Sequence, residues 1–303
     1  MNRVVARFVI RVCVSLLVVL APPARGQLPD GHRIQVNGAQ LYYVEQGDGD
    51  PIILLHGGQG DYRMWQRHFA AMAAHHRVIA YSRRYHFPND NALRADYSAL
   101  VDADDLAGLI TTLHLGSVHL VGTSAGALTA LLFALQHPTQ VRSLVLAEPP
   151  ILTWAAENAE LAPLYRDFMS RTHVRAQPAF ARGDDSLAVG YFIDAFDGEG
   201  TFTAMPGERR HAILQNARYF QAITASRAPY PDVSKREVHQ LQVPTLVVRG
   251  ADTPAMNVAV TDELLRQLSR GTRVIIPGAG HGSPRQQPTA FTTAVLQFIA
   301  QHE

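Results

Sequence analysis

Cysteine is almost missing from this chain: among 303 residues only Cys13 carries a thiol, which excludes a disulfide scaffold and a cysteine-ligated metal site. Lysine and arginine nowhere form a dense block, and the formal net charge is only +1, so the footprint of a nucleic-acid binder is lacking. No His-x-x-x-His with a partner carboxylate is present and no glycine-rich phosphate loop, so neither a metal nor a cofactor is expected. Internal repeats and low-complexity segments are also absent. What is present is apolar: 47% of the residues are hydrophobic, ample for one large α/β domain or one domain with a substantial insertion.

Residues 1–26 have the pattern of an export signal. Arg3, Arg7 and Arg11 precede the apolar run 12–21, and Ala24-Arg25-Gly26 supplies a small-x-small cleavage site. The run is short for a membrane span of about 20 residues, so a removable signal is expected in preference to an uncleaved anchor. Cys13 lies near the start of the run, a poor place for lipid attachment. Removal would take away four arginines and no acid, changing the formal charge from +1 to −3. The expected product is exported, periplasmic or secreted, free of cysteine, without stable membrane association.

Residues 32–46 read as a hairpin turning at Asn37-Gly38. An alternation follows: strands at 51–55, 77–81, 118–121 and 141–147, helices at 62–74, 96–113 and 127–136. Continuous Val/Ile/Leu runs separated by helical patterns suit a parallel sheet covered on both faces. The rhythm stops after Glu148-Pro149-Pro150 and resumes with a strand at 243–250, a helix at 258–268, a strand at 272–276 and a helix at 289–300. Between them lie helix-like pieces at 155–169, 186–196 and 208–224, with Pro and Gly breaks. The expected organisation is a core of 27–148 and 241–303 with a helical insertion at 149–240.

The strand at 118–121 runs into Gly122-Thr123-Ser124-Ala125-Gly126 and then a helical run. A hydroxyl that attacks a carbonyl has to be lifted off the sheet on a sharp turn, and glycines on both sides permit a strained backbone and a close strand-to-helix approach. Ser124 is therefore the candidate nucleophile. Two further motifs follow strands in the same way, His56-Gly57-Gly58-Gln59-Gly60 and Gly278-Ala279-Gly280-His281-Gly282. Strand carboxyl ends are where ligands collect in open α/β sheets.

On these three motifs the chain, from about Gly31 onward, resembles a lid-bearing α/β-hydrolase. The resemblance implies a mostly parallel eight-stranded sheet with helices on both faces and a helical lid between strands 6 and 7. It makes His281 the general base, since imidazoles exchange protons near neutral pH, and assigns the oxyanion donors to the backbone N–H groups of Gly58 and Ala125. His56 is read as orienting its loop. The family's common acid position, Gly-x-x-Asp after the strand that follows the lid, is not matched: Gly250-Ala251-Asp252-Thr253 puts Thr253 there and Asp252 one residue early. Glu148, at the end of the strand beside the nucleophile's, is the preferred acid, with Asp252 the alternative.

The segment Tyr81-Ser82-Arg83-Arg84-Tyr85-His86-Phe87-Pro88-Asn89 departs from the glycine-rich pattern of relatives. It is expected to line the substrate entrance or to pin the lid. Gln59, Arg83 and Tyr85 are the candidate substrate contacts; for the two arginines an ion pair with Asp61, Glu148 or Asp252 is the alternative to gripping a substrate carboxylate. The lid aromatics, Phe168, Phe192, Phe196, Tyr219 and Phe220 among them, could wall an apolar pocket. The expected function is a serine hydrolase acting on a small ester or lactone through an acyl-enzyme. Carbon–carbon hydrolysis or cofactor-free perhydrolysis by the same triad, and a receptor-like binding module on the same fold, are the alternatives. A serine in place of a carboxylate nucleophile disfavours dehalogenase and epoxide-hydrolase chemistry.

Overall fold

The computed structural model describes residues 27–303, so the expected signal segment 1–26 lies outside the described residues. Eight strands form one sheet: β1 (Gly31–Val36), β2 (Ala39–Gln46), β3 (Pro51–Leu55), β4 (Arg77–Tyr81), β5 (Val118–Thr123), β6 (Val141–Ala147), β7 (Thr245–Gly250) and β8 (Gly271–Ile276), in the order β1-β2-β4-β3-β5-β6-β7-β8. The β1–β2 and β2–β4 pairs are antiparallel and the others parallel. Asn37 and Gly38, with φ of 47° and 73°, make the β1–β2 turn, the left-handed pair a tight hairpin of this twist requires.

Every residue of β3 and β5 is buried, because alternate side chains enter two separate cores. Ile53, Leu55 and Leu120 face the helices at 99–112, 125–136 and 255–267 through Leu106, Leu109, Leu128, Leu131 and Leu264. On the other side Ile52, Leu54 and Val121 meet Phe69, Met72, Phe291 and Val295 from the helices at 66–72 and 288–299. From β3 the chain crosses outward to β4 and then back to β5 on the other flank of β3. That reversal opens a crevice at the carboxyl ends of β3 and β5, where two of the three sequence motifs begin.

The stretch between β6 and β7 is helical and has a core of its own, with Phe180, Phe192, Phe202, Tyr219 and Phe220 packed together and onto Tyr85, Tyr97 and Ala125 of the sheet-bearing part. Two expected helices within it are broken by asparagines whose side chains hydrogen-bond backbone groups instead. Asn158 accepts from the N–H groups of Glu160 and Leu161, separating helices 152–157 and 162–169. Asn216 separates helices 207–214 and 217–225. Pro178 sits inside helix 175–181, where it cannot donate to the carbonyl four residues earlier, and the helix is preceded by a π turn at Ser170–Val174. The expected helix at 62–74 is a 3₁₀ turn (Tyr62–Trp65) followed by a helix (Gln66–Met72), with Asp61 capping the turn through the Arg63 N–H.

Candidate active site

β5 ends in a sharp turn. Ser124 has φ 50° and ψ −123°, a backbone conformation costly to a residue with a Cβ. The neighbouring glycines serve close approach and are not themselves in the left-handed region. A Cβ on Gly122 would lie 2.6 Å from the Gly126 carbonyl oxygen, and one on Gly126 would lie 2.4 Å from that of Leu55. The turn is anchored by the Ser124 N–H, which donates to the Ala147 carbonyl at 2.7 Å.

β6 repeats the device one strand along. Glu148 has φ 49°, and its N–H donates to the Val248 carbonyl at 3.2 Å. The side chain turns under His281, which β8 and the following glycines present. Ser124 Oγ lies 3.1 Å from His281 Nε2, and His281 Nδ1 lies 2.7 Å from Glu148 Oε2. Glu148 Oε2 also accepts from Thr253 Oγ1 at 2.6 Å and Asn257 Nδ2 at 2.9 Å, while Oε1 accepts from the Gly250 N–H at 2.9 Å. Burial works against a charge on Glu148, but the hydrogen bond and charge of His281, joined by Thr253 and Gly250, hold its pKa down to about 2. An ionised Glu148 accepts a hydrogen bond from Nδ1–H, which fixes the tautomer whose Nε2 lone pair faces Ser124. The 2.9 Å approach of Asn257 Nδ2 to Nδ1 is then a contact between two donors that converge on one carboxylate oxygen.

Asp252 does not join this row. Its backbone N–H is tied to the Ala279 carbonyl at 2.8 Å and the residue is exposed. The turn instead sends Thr253, at the spacing where relatives carry the acid, inward to Glu148. Thr253 and Asn257 were not singled out as site residues from the sequence; the displaced Gly-x-x-Asp spacing was the signal for the first, and the second lies about one helical turn beyond it.

Gly57, Gly58, Ser124, Ala125 and His281 share a cavity of about 310 Å³. Ala125 opens the helix 125–136, where the first N–H groups have no partner within the helix. A Cβ on Gly58 would fall 2.6 Å from Cε1 of Tyr219, so this loop holds its position against the helical insert only as glycine. The Phe196 ring stacks on His281, centroids 4.8 Å apart and 11° from parallel. Of the candidate substrate contacts Gln59 lines the cavity, whereas Arg83 and Tyr85 do not. Among the described residues no group of three His, Cys, Asp or Glu side chains is placed to hold a metal ion.

Arg83 is 1% exposed beneath Tyr219, its guanidinium 2.5 Å from Asp102 and 4.8 Å from the tyrosine ring centroid. Burial opposes its charge, but the Asp102 carboxylate more than compensates and its pKa is raised. Arg84 pairs with Asp105 at 2.6 Å. Neither arginine uses Asp61, Glu148 or Asp252, because both point back under the sheet edge to the helix at 99–112. Tyr85 is turned away too, accepting from the Arg94 N–H at 3.0 Å. The Arg83 N–H donates to His56 Nε2 at 3.0 Å, and His56 Nδ1 donates to the Gly57 carbonyl at 2.8 Å. Burial, reinforced by Arg83, depresses the His56 pKa to about 3, so His56 is a neutral brace for the Gly57-Gly58 loop. The same segment pins the insert: the Phe87 N–H donates to Asn216 Oδ1 at 2.9 Å, and Arg218 pairs with Asp90.

A family model described as the alpha/beta hydrolase fold matches residues 50–284. A protein of Variovorax paradoxus (strain S110) named "Putative carbamate hydrolase RutD" is 29% identical over 86% of this chain and 96% of its own length. A 2-hydroxy-6-oxo-6-phenylhexa-2,4-dienoate hydrolase of Comamonas testosteroni is 24% identical over 86% of this chain and 91% of its own. Among solved structures, a thermophilic esterase from Thermogutta terrifontis superposes with a TM-score of 0.74 at 24% identity, over 91% of this chain and all of the other. By its matched family model, its sheet order and the turn that carries Ser124, this chain belongs to the alpha/beta hydrolase fold family.

Proposed function

We propose that this hydrolase cleaves a small ester or lactone through an acyl-enzyme, with Ser124 as nucleophile, His281 as base and then acid, and Glu148 as the orienting acid. The observation that carries this reading is the hydrogen-bonded row from Ser124 Oγ through both nitrogens of His281 to Glu148, 3.1 and 2.7 Å long. His281 takes the seryl proton as Oγ attacks the acyl carbon, and the Glu148 carboxylate stabilises the imidazolium. The N–H groups of Gly58 and Ala125 receive the oxyanion of the tetrahedral intermediate. His281 then protonates the departing alcohol, and a water activated by the same nitrogen releases the acid. Residues 149–240 act as the lid, with Gln59 at the substrate, and the enzyme works outside the cytoplasm once residues 1–26 are removed.

Carbon–carbon hydrolysis by the same three residues is the second reading, favoured by the name of the Comamonas relative. Turnover of aryl esters compared with vinylogous 1,5-diketones separates the two. Labelling by a fluorophosphonate, abolished in Ser124→Ala, tests the nucleophile itself. A folded protein that takes up no label would defeat both readings.

A further inference from the structure

The cavity has two unlike ends. Phe168, Phe192, Phe220, Ile223 and Leu152 line it and are all buried, whereas Asp197, Arg209 and Arg285 line it and reach solvent. The wall carries three guanidinium groups (Arg63, Arg209, Arg285) and two carboxylates (Asp61, Asp197). Arg63 and Asp61 neutralise each other at 2.7 Å. That leaves Arg209 and Arg285 with Asp197, an excess of one positive charge at the mouth.

Arg285 and Arg209 come from different parts of the fold. Arg285 follows His281 on the sheet-bearing part, and its guanidinium folds back so that Nη2 is 3.1 Å from where a Cβ on Gly282 would stand. Arg209 belongs to helix Gly207–Leu214 of the insert. Neither guanidinium has a hydrogen bond or an ion pair among the described residues. Burial lowers the Arg285 pKa, and the nearby charge of Arg209, with a further contribution from Arg67, lowers it again against the pull of Asp197. Two cations on the wall of one cavity, one from the insert and one from the sheet-bearing part, repel until an anion lies near both.

We infer that Arg209 and Arg285 form an anion subsite at the cavity mouth, so that the substrate is an ester with an apolar portion for the aromatic end and a carboxylate on the portion facing the mouth. The inference rests on the hydrolase reading above. A monoanion matches the single excess charge; a dianion such as a phosphate monoester would overshoot it and face Asp197. Arginine's planar fork also suits a carboxylate. Because the two arginines lie on the insert and on the sheet-bearing part, a carboxylate held by both would also draw the insert onto the site.

The test is a pair of isosteric esters, 4-carboxyphenyl butyrate and 4-carbamoylphenyl butyrate, with the monoester and monoamide-monoester of adipic acid as a pair charged on the acyl side. The readout is the ratio of kcat/KM for charged over neutral substrate. Arg209→Gln/Arg285→Gln is expected to lower that ratio about 10-fold or more in one of the two pairs, the scale of a hydrogen bond to a charged group. Asp197→Asn should raise it, a change of opposite sign that loss of packing would not produce. An unchanged ratio in both pairs overturns the inference. Failure of the wild-type protein to hydrolyse any ester would strike the ester reading of the site instead. The subsite is then decided by calorimetric binding of 4-phenylbutyrate against 4-phenylbutyramide: a preference for the acid that is lost in the double variant sustains it, and no preference removes it.

Discussion

Glu148→Gln isolates the electrostatic part of the Ser124–His281–Glu148 row with almost no change of shape. The native carboxylate accepts from His281, Thr253 and Asn257 on one oxygen and from Gly250 on the other. A glutamine can keep its oxygen toward the first three only by turning its amide nitrogen onto the Gly250 N–H, so one donor is always opposed by another donor. The larger loss is charge. An imidazolium and a carboxylate with centres about 4 Å apart interact by roughly 4 kcal/mol at an effective dielectric near 20, a factor of about 10³ in rate. Loss of the correct tautomer can raise the deficit to about 10⁴. The assay is turnover of an aryl ester by purified Glu148→Gln, with circular dichroism to establish folding. Asp252→Asn serves as the comparison and should fall less than about threefold, since its side chain reaches solvent and touches none of the row. If Asp252→Asn were the more damaged, or folded Glu148→Gln kept a tenth of wild-type turnover, the assignment of the acid would be wrong.

Gly58→Ala should press a methyl group into the buried Tyr219 ring and displace the Gly57-Gly58 loop, and with the proposed oxyanion donor moved kcat should fall by about 10²-fold or more; fluorophosphonate labelling kinetics read the same loss. Arg83→Met should leave Asp102 buried with only Tyr97 for company, at a cost of about 3–5 kcal/mol, visible as a fall in the urea midpoint; a midpoint within error of wild type would refute a structural role for the pair. Glu148 has a folded-state pKa near 2 against an ordinary 4.5, so its contribution to stability is complete above about pH 4.5 and is lost as the pH falls toward 2. Urea titrations at pH 6, 4 and 2.5 should show that slope in the wild type and a shallower one in Glu148→Gln.

The bounds of β3, β4 and β6 were legible to the residue, because each is a short, mostly apolar run that is buried almost throughout, with Arg77, Arg142 and Ser143 as its few polar members. Helix ends were not: Ser98 and Asp61 divert the backbone with their own side chains, and Asn158 and Asn216 do so inside the insert. For the proximity of Ser124 and His281, 3.1 Å apart, the strand-then-glycine context was informative, since both follow strands at the same edge of the sheet. The place of Glu148 at the end of the adjacent strand was enough to put it within reach of His281, where the structure has it 2.7 Å away. Arg83 and Tyr85 were misread because sequence locates a loop at the sheet edge without saying which side chains it turns inward; a buried Asp102 one helix away decided that. Phe196 over His281 and Tyr219 against Gly58 are contacts between the insert and the sheet-bearing part, more than 80 and 160 residues apart, with no local pattern to announce them.

The left-handed residues at Ser124 and Glu148 are each fastened by an N–H to the carbonyl of the next strand over, so tension at one tip is borne by its neighbour, and that neighbour's by the strand beyond. A slip in the pairing of β6 with β7 would therefore release Glu148 directly and disturb the residue next to it, Ala147, that anchors Ser124. Under gradual denaturation activity should vanish in step with the loosening of the sheet centre, and should survive fraying of the β1–β2 edge, which carries none of this tension.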